Sequence, residues 1–340
     1  MSSHVPYISV CIPLYRTEQY LAQCLRSILL QDFSDFEVVI VSDASDGKDG
    51  QGWAAKKIIK TVQKECSRAR KKQGLKPVEL RFVEHQQNRG LFEVRRTLVY
   101  EAKGIYITQC DSDDALEPGA LKAFYSALQG GTAYDIVHGS SRAGSFDSDG
   151  SFIPAQNNVY ASIFYGELKN RDIYRGWLLE NKCSANTWGK LIKRELYLTA
   201  YDQVSYTECN LAEDVLHFFF ISQFASSYLG IPEKVYRYRV NSGMTGAYKI
   251  TDLGKWKMSC SAASVFGVIS TWLDEQEEKK SAFAPAEDEL LCLKKLACGY
   301  VENNLSILKN NVIPELQKEA YAMLCDYWGR DFVEIVENHI

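Results

Sequence analysis

The densest chemistry in the chain is Asp111-Ser112-Asp113-Asp114, which directly follows the apolar run I-Y-I-T-Q-C from Ile105 to Cys110. Three carboxylates within four residues repel one another. The end of an apolar segment holds them only where a cation or firm hydrogen bonds compensate. Two carboxylates together with phosphate oxygens suit Mg²⁺ or Mn²⁺, which take oxygen ligands and keep some water. The same tetrapeptide also reads as a polar turn leading into the next helix, where Asp and Ser are common. Two further groups stand where apolar runs end. Tyr15, after Pro13-Leu14, can stack on a nucleobase, and Asp43 can accept the imide N–H of uracil; a Pro-bounded turn and an Asx turn are the structural alternatives. The histidines, His4, His85, His138, His217 and His339, show no metal-ligand spacing.

The elements that must position these groups follow from periodicity. Ile8 to Leu14 and Phe36 to Val41 read as buried strands. Between them Tyr20, Leu21, Cys24, Leu25, Ile28 and Leu29 mark one face of a helix from Thr17 to Gln31. A basic helix (Ala54 to Lys72), a strand (Val78 to Val83), a helix (Leu91 to Ala102), a strand (Ile105 to Cys110), a helix (Gly119 to Leu128) and a strand (Asp135 to Gly139) continue the alternation. That order predicts an α/β fold with a mostly parallel sheet, whose ligands bind at the carboxyl ends of the strands. Ser140 to Asn158 reads as a long loop, and Leu253 onward as three helices with breaks near Pro285 and Pro314. A boundary near residue 250 is expected, with residues 1–250 catalytic and 251–340 a helical C-terminal region. Nine cations and one Glu in Lys56 to Lys76 lie over an apolar stripe of Ile58, Ile59, Val62, Cys66 and Ala69, the pattern of a solvated outer helix face.

Composition narrows the class. The 340 residues carry 39 Lys+Arg against 43 Asp+Glu, a formal charge of −4, with 46% hydrophobic residues, which excludes disordered and disulfide-scaffold chains. The acidic balance argues against a nucleic-acid partner. Ten cysteines without a C-x-x-C pair fit a reducing compartment. No secretory signal and no long uninterrupted apolar window is legible, so a cytoplasmic enzyme is expected, peripheral at most to the inner face of a membrane.

Residues 8 to 128 resemble the nucleotide-binding half of the inverting glycosyltransferase family 2, through I-S-V-C-I-P-L-Y, F-E-V-V-I-V-S-D-A-S, Q-N-R-G-L-F-E-V-R-R and A-K-G-I-Y-I-T-Q-C-D-S-D-D-A-L-E-P-G-A-L in order. The resemblance implies a GT-A fold, with nucleotide-binding and acceptor halves of about 1–130 and 131–250. It implies that Pro13, Tyr15 and Asp43 contact the nucleoside and that Arg95 lies near the donor. Asp111 and Asp113 are then the D-x-D motif, the first facing ribose or donor sugar and the second holding the divalent ion, with Asp114 behind them. Inversion requires a base opposite the departing diphosphate. Glu213-Asp214 resembles the family's E-D motif, which makes Asp214 that base and Glu213 its helper; two acids in the first turn of a helix also complement its dipole. Trp188-Gly189-Lys190 resembles the W-N-K stretch near donor sugar and acceptor. Tyr236 to Thr245 resembles the Y-x-Y-R…S-x-T tail, where Arg239 would help neutralise the leaving diphosphate; a structural Arg pairing with a strand end is the alternative.

The chain departs from the family pattern at Ser42 and Ala44 (S-D-A-S where D-D-G-S is usual), Arg16 (often Asn), Gly189 (Asn) and Ala115 (an aromatic), and none of these exchanges removes a proposed catalytic group. The expected function is a Mn²⁺- or Mg²⁺-dependent transfer of a sugar from a nucleoside diphosphate, UDP by preference, to a hydroxyl of a glycan, lipid-linked or protein-linked acceptor. A homodimer through the C-terminal helices is a further expectation. The competing readings are a non-catalytic nucleotide-sugar-binding relative and a sugar nucleotidyltransferase; the latter needs a Gly-rich loop where Pro13-Leu14-Tyr15-Arg16 stands.

Overall fold

Apolar runs without polar alternation require cover on both faces. The first two, Ile8–Leu14 (β1) and Phe36–Ser42 (β2), are buried along their whole length. The computed structural model describes residues 4–147, 149–156, 161–207, 209–240 and 249–339. Its remaining strands are Glu79–Glu84 (β3), Tyr106–Gln109 (β4), Ala115–Leu116 (β5), Ile136–Phe146 (β6), Phe152–Pro154 (β7), Gly166–Lys169 (β8), Lys190–Lys193 (β9) and Ser227–Arg239 (β10). They form one ten-stranded sheet with the order β3-β2-β1-β4-β9-β6-β10-β5; β7 pairs with β6 and β8 with β10. The four strands from β3 to β4 are parallel, β9 runs antiparallel to both its neighbours, and β6 and β10 are parallel again.

Because the chain winds outward from β1 to β3 and then returns to β4 on the other side of β1, the reversal of strand order falls between β1 and β4. This is where an α/β sheet offers a ligand site. Helices Glu18–Leu29 (α1), Ala55–Lys72 (α2) and Ala120–Ala127 (α4) cover one face. Leu91–Glu101 (α3), Arg171–Leu178 (α5), Arg194–Tyr201 (α6) and Glu213–Phe224 (α7) cover the other. Five helices follow: Leu253–Cys260 (α8), Ala262–Glu278 (α9), Glu287–Asn310 (α10), Gln317–Trp328 (α11) and Arg330–Glu337 (α12). Trp272 of α9 packs edge-on against Phe219 and Phe220 of α7, while Trp256, fully buried, centres a smaller cluster of the C-terminal helices.

Two stretches differ from the sequence expectation. The expected loop from Ser140 begins as strand, since β6 continues to Phe146 and turns back into β7. The turn is an Asx type, with the Asp147 carboxylate accepting the N–H groups of Asp149 and Ser151. Its Ser, Arg and Gly residues pair through backbone, which leaves no apolar pattern to read. The expected three C-terminal helices are five, with a kink at Ser261 and a second break at Gly329, whose φ is 83°.

The outer face of α2 is solvated at its lysines, but Arg70 is 1% exposed. Its guanidinium donates to the carbonyls of Leu29, Gln31, Phe33 and Lys76, closing the C-terminal ends of α1 and α2 against each other. Three of the family departures also share a cause. Arg16 (φ 56°), Ala44 (φ 55°) and Gly189 (φ 72°) all lie in the left-handed region, which favours Gly and Asn. At these positions the exchanges alter backbone strain.

Two stability outcomes follow. Arg70→Met leaves four carbonyls unpartnered and lowers stability by about 3 kcal/mol, read as a shift of the denaturant midpoint. Ala44→Gly relieves the left-handed strain and moves the midpoint the other way by about 0.5–1 kcal/mol.

Candidate active site

Near the end of β4, one cation joins two of the expected residues, Asp111 and Glu213. Arg95 sits on the sheet-facing side of α3, and its guanidinium is 2% exposed. It donates to Gln109 Oε1 at 2.6 Å, to Asp111 Oδ1 at 2.9 Å and to Glu213 Oε1 at 3.4 Å. Burial opposes its charge, but the Asp111 and Glu213 carboxylates overcome that cost and raise its pKa. The two acidic motifs, a hundred residues apart in sequence, therefore meet on one guanidinium.

The segment after β4 is held from three sides. Ser112 Oγ pairs with Thr17 Oγ1 at 2.6 Å, tying it to the start of α1. The Tyr236 hydroxyl accepts the Asp111 N–H at 3.0 Å and donates to Asp114 Oδ2 at 2.8 Å. Asp114 also accepts the Arg239 N–H at 2.7 Å; burial, then the charges of Asp113 and Asp111, push its carboxyl pKa well up. Asp114 thus anchors the turn from behind, while Asp111, 26% exposed, and the part-buried Asp113 stand at the rim.

Tyr15 is 37% exposed at the end of β1, whereas Pro13 lies buried within the strand. Asp43 is 3% exposed. Its carboxylate accepts the backbone N–H groups of Arg89 and Gly90 and pairs with His85 Nδ1 at 2.8 Å, so it shapes the turn that opens α3.

Glu213 and Asp214 open α7 directly after Ala212, whose φ is 63°. An alanine held in the left-handed region stores strain, which is characteristic of sites where presentation matters. Asp214 Oδ1 accepts its neighbour Val215 N–H at 2.9 Å. Burial, followed by the charge of Asp214, raises the Glu213 carboxyl to about 7. Burial likewise raises Asp214, with Arg95 and Lys190 pulling it back.

Lys190 is 1% exposed and donates to the Asn186 carbonyl at 2.5 Å; burial lowers its pKa to about 7. Trp188 stacks on Tyr236 (4.8 Å between centroids) and on Tyr238 (5.6 Å). The Arg239 guanidinium lies over Tyr20 and Phe146 and donates to the Asp113 carbonyl at 2.7 Å and to Gln23. The rest of that motif, Asn241 to Thr245, lies outside the described residues. His217 pairs with the Tyr201 hydroxyl and stacks on Phe92, as a core histidine does. Tyr236 is the residue whose part in the site sequence reading missed; its only signal was its place in Y-x-Y-R.

Among the described residues no group of three or more His, Cys, Asp or Glu side chains converges into a cage of its own. Two rim carboxylates fit an ion that completes its shell with phosphate oxygens and water. Among the described residues no helix is long and apolar enough to cross a membrane.

Comparison with known proteins bears on the family and the fold. Residues 9–197, more than half the chain, match the model of glycosyl transferase family 2. Glycosyltransferase GlyG of Streptococcus pneumoniae is 28% identical over 243 residues, 69% of this chain and 71% of its own. Glycosyltransferase GlyA of the same organism is 25% identical over 69% of this chain, which spans only 31% of GlyA. The crystal structure of S. aureus TarS residues 1–349 with UDP-GlcNAc superposes with a TM-score of 0.50 at 18% identity, over 98% of this chain and 92% of that one, a likeness of fold. The chain belongs to glycosyl transferase family 2: it is a GT-A-fold glycosyltransferase that draws its sugar from a nucleotide-sugar donor.

Proposed function

We propose that this enzyme inverts the anomeric centre of a UDP-sugar, with Asp214 removing the proton of the acceptor hydroxyl. The observation that carries the reading is Arg95, which brings the donor-side Asp111 and the Glu213-Asp214 pair to one guanidinium. A donor held at Asp111 and Asp113 then lies close to Asp214, and positioning of that kind is where most of the gain from binding two reactants arises. UDP is the first nucleotide to test because the TarS fold holds UDP-GlcNAc.

The nucleoside rests at Tyr15 beside Pro13, against the turn that Asp43 secures. Asp113, helped by Asp111, would hold a divalent ion, Mn²⁺ or Mg²⁺, which would supply positive charge to the diphosphate. Arg239 stiffens the Asp113 backbone and adds charge on the leaving-group side. Trp188 and Lys190 border the sugar. Burial raises the Asp214 carboxyl, and its neighbour Glu213 pairs with Arg95. The acceptor is a glycan, lipid-linked or protein-linked hydroxyl, reached in the cytoplasm or at the inner face of a membrane, and the C-terminal helices offer a face for a second copy.

Calorimetry with UDP tests the donor side. UDP binding in the presence of Mn²⁺ disappears on chelation and in Asp113→Ala. Asp214→Asn keeps that binding and loses turnover by about 10³-fold or more. An Asp214→Asn enzyme with wild-type turnover overturns the base assignment, and wild-type enzyme that binds UDP-sugars without ever cleaving them leaves a non-catalytic binder.

The pH profile has a definite sign. A base works only when ionised, and burial raises both acids, so kcat/KM is present above the pKa of the pair and is lost as pH falls through it. The groups facing Asp214 are the cations Arg95 and Lys190, the acid Glu213, the Cys209 thiol and the Tyr300 hydroxyl. The acidic limb is expected above the ordinary aspartate value, because burial raises the Asp214 carboxyl. Glu213→Gln removes a negative charge beside Asp214 and moves that limb to lower pH.

A further inference from the structure

The loop that leads into Glu213-Asp214 is held by a residue from outside the sheet domain. Ser261 stands at the kink between α8 and α9 and is 6% exposed. Its hydroxyl oxygen accepts the backbone N–H groups of Asn210 at 3.3 Å and Leu211 at 3.2 Å, while its proton goes to the Met258 carbonyl at 2.7 Å. Those two N–H groups immediately precede Ala212, the left-handed residue that turns the chain into α7. Their acceptor is thus supplied from about fifty residues downstream.

The same loop is fastened on its other side to the helix that carries Arg95. The Asn210 side-chain oxygen accepts the Leu91 N–H at 3.2 Å, and the Cys209 carbonyl accepts the Phe92 N–H at 3.3 Å. Gly90 permits this approach, because a Cβ there would lie 3.3 Å from the Cys209 carbonyl oxygen. A second residue of the C-terminal helices faces the acids as well. Tyr300 of α10 packs on Phe266 of α9, and its hydroxyl pKa is raised by burial and then by the charges of Asp214 and Glu213.

We propose that Ser261 is a positioning residue for catalysis: its two accepted hydrogen bonds fix the bend at Ala212 and so aim the Glu213-Asp214 pair at the donor crevice. The C-terminal helices are thereby part of the catalytic centre. The inference rests on the assignment of Asp214 as base. Ser261 touches no reacting atom. It acts through two amides that hydrogen-bond poorly to anything else once its hydroxyl is gone.

The test compares Ser261→Ala, Ser261→Thr and Asp214→Asn in the full chain. Turnover is read as UDP release from the fastest of UDP-GlcNAc, UDP-GalNAc, UDP-glucose and UDP-galactose, and affinity as UDP binding with Mn²⁺. Ser261→Ala is expected to lose kcat by about 10- to 100-fold, the scale of a misplacement of roughly an ångström, with UDP affinity within about twofold of wild type. Ser261→Thr, which keeps the hydroxyl, restores most of the rate. A readout independent of turnover is amide hydrogen exchange, which should quicken across residues 210–216 in Ser261→Ala and stay unchanged across 106–114. Wild-type kcat, or wild-type exchange at 210–216, overturns the proposal. So does a loss of rate that merely follows a loss of UDP binding or that Thr does not restore. If Asp214→Asn turns over normally, the base assignment has failed; if it is inactive while Ser261→Ala is normal, only the clamp has failed.

Discussion

A single buried guanidinium sets the geometry of this enzyme. Two acidic segments, one ending a parallel strand and one opening a helix, would repel each other if brought together alone. Arg95 makes their approach favourable, with three hydrogen bonds in a place from which water is excluded. Arginine is suited to this because it stays charged under burial and presents several donors in one plane. The sheet serves the same end: β4 delivers Gln109 and Asp111, α3 delivers Arg95, and β10 delivers Tyr236 to hold the segment from behind.

Around that cation the site is assembled from backbone held under strain. Ala44 and Ala212 occupy a conformation that glycine would take more cheaply, and Arg16 does so beside Tyr15. All three lie where a strand ends or a helix begins, so the strain is confined to the rim. The carboxylates behind it, Asp43 and Asp114, are used to hold backbone amides rather than to face solvent.

The parts of the molecule legible in sequence are those fixed by local pattern. β1, β2, α1 and α3 follow from continuous apolar runs and from a 3.6-residue period, and their ends fall within a residue or two of expectation. Strand β5 has two residues and the second half of β6 is polar, so neither offers a periodicity to detect. Arg70 resembled its solvated neighbours, since nothing in a run of lysines says which cation will turn inward. Asp111 and Asp113 stood out through charge density at a strand end. Glu213 and Asp214 stood out only beside a known family, because acids in a first helical turn are common. Ser261 left no mark at all, for its partners are backbone amides that any sequence possesses.

That last contact bears on the order in which the enzyme is made. A chain leaving the ribosome amino end first can pair β1 to β4 and cover them with α1 to α4 well before synthesis is complete. The amides of Asn210 and Leu211 remain without their acceptor until Ser261 has emerged and α8 and α9 have docked. A nascent chain that already has the D-x-D strand end would therefore still lack a fixed acid pair. With Asp214 in the role proposed for it, competence to transfer sugar would be acquired only once α8 and α9 are in place.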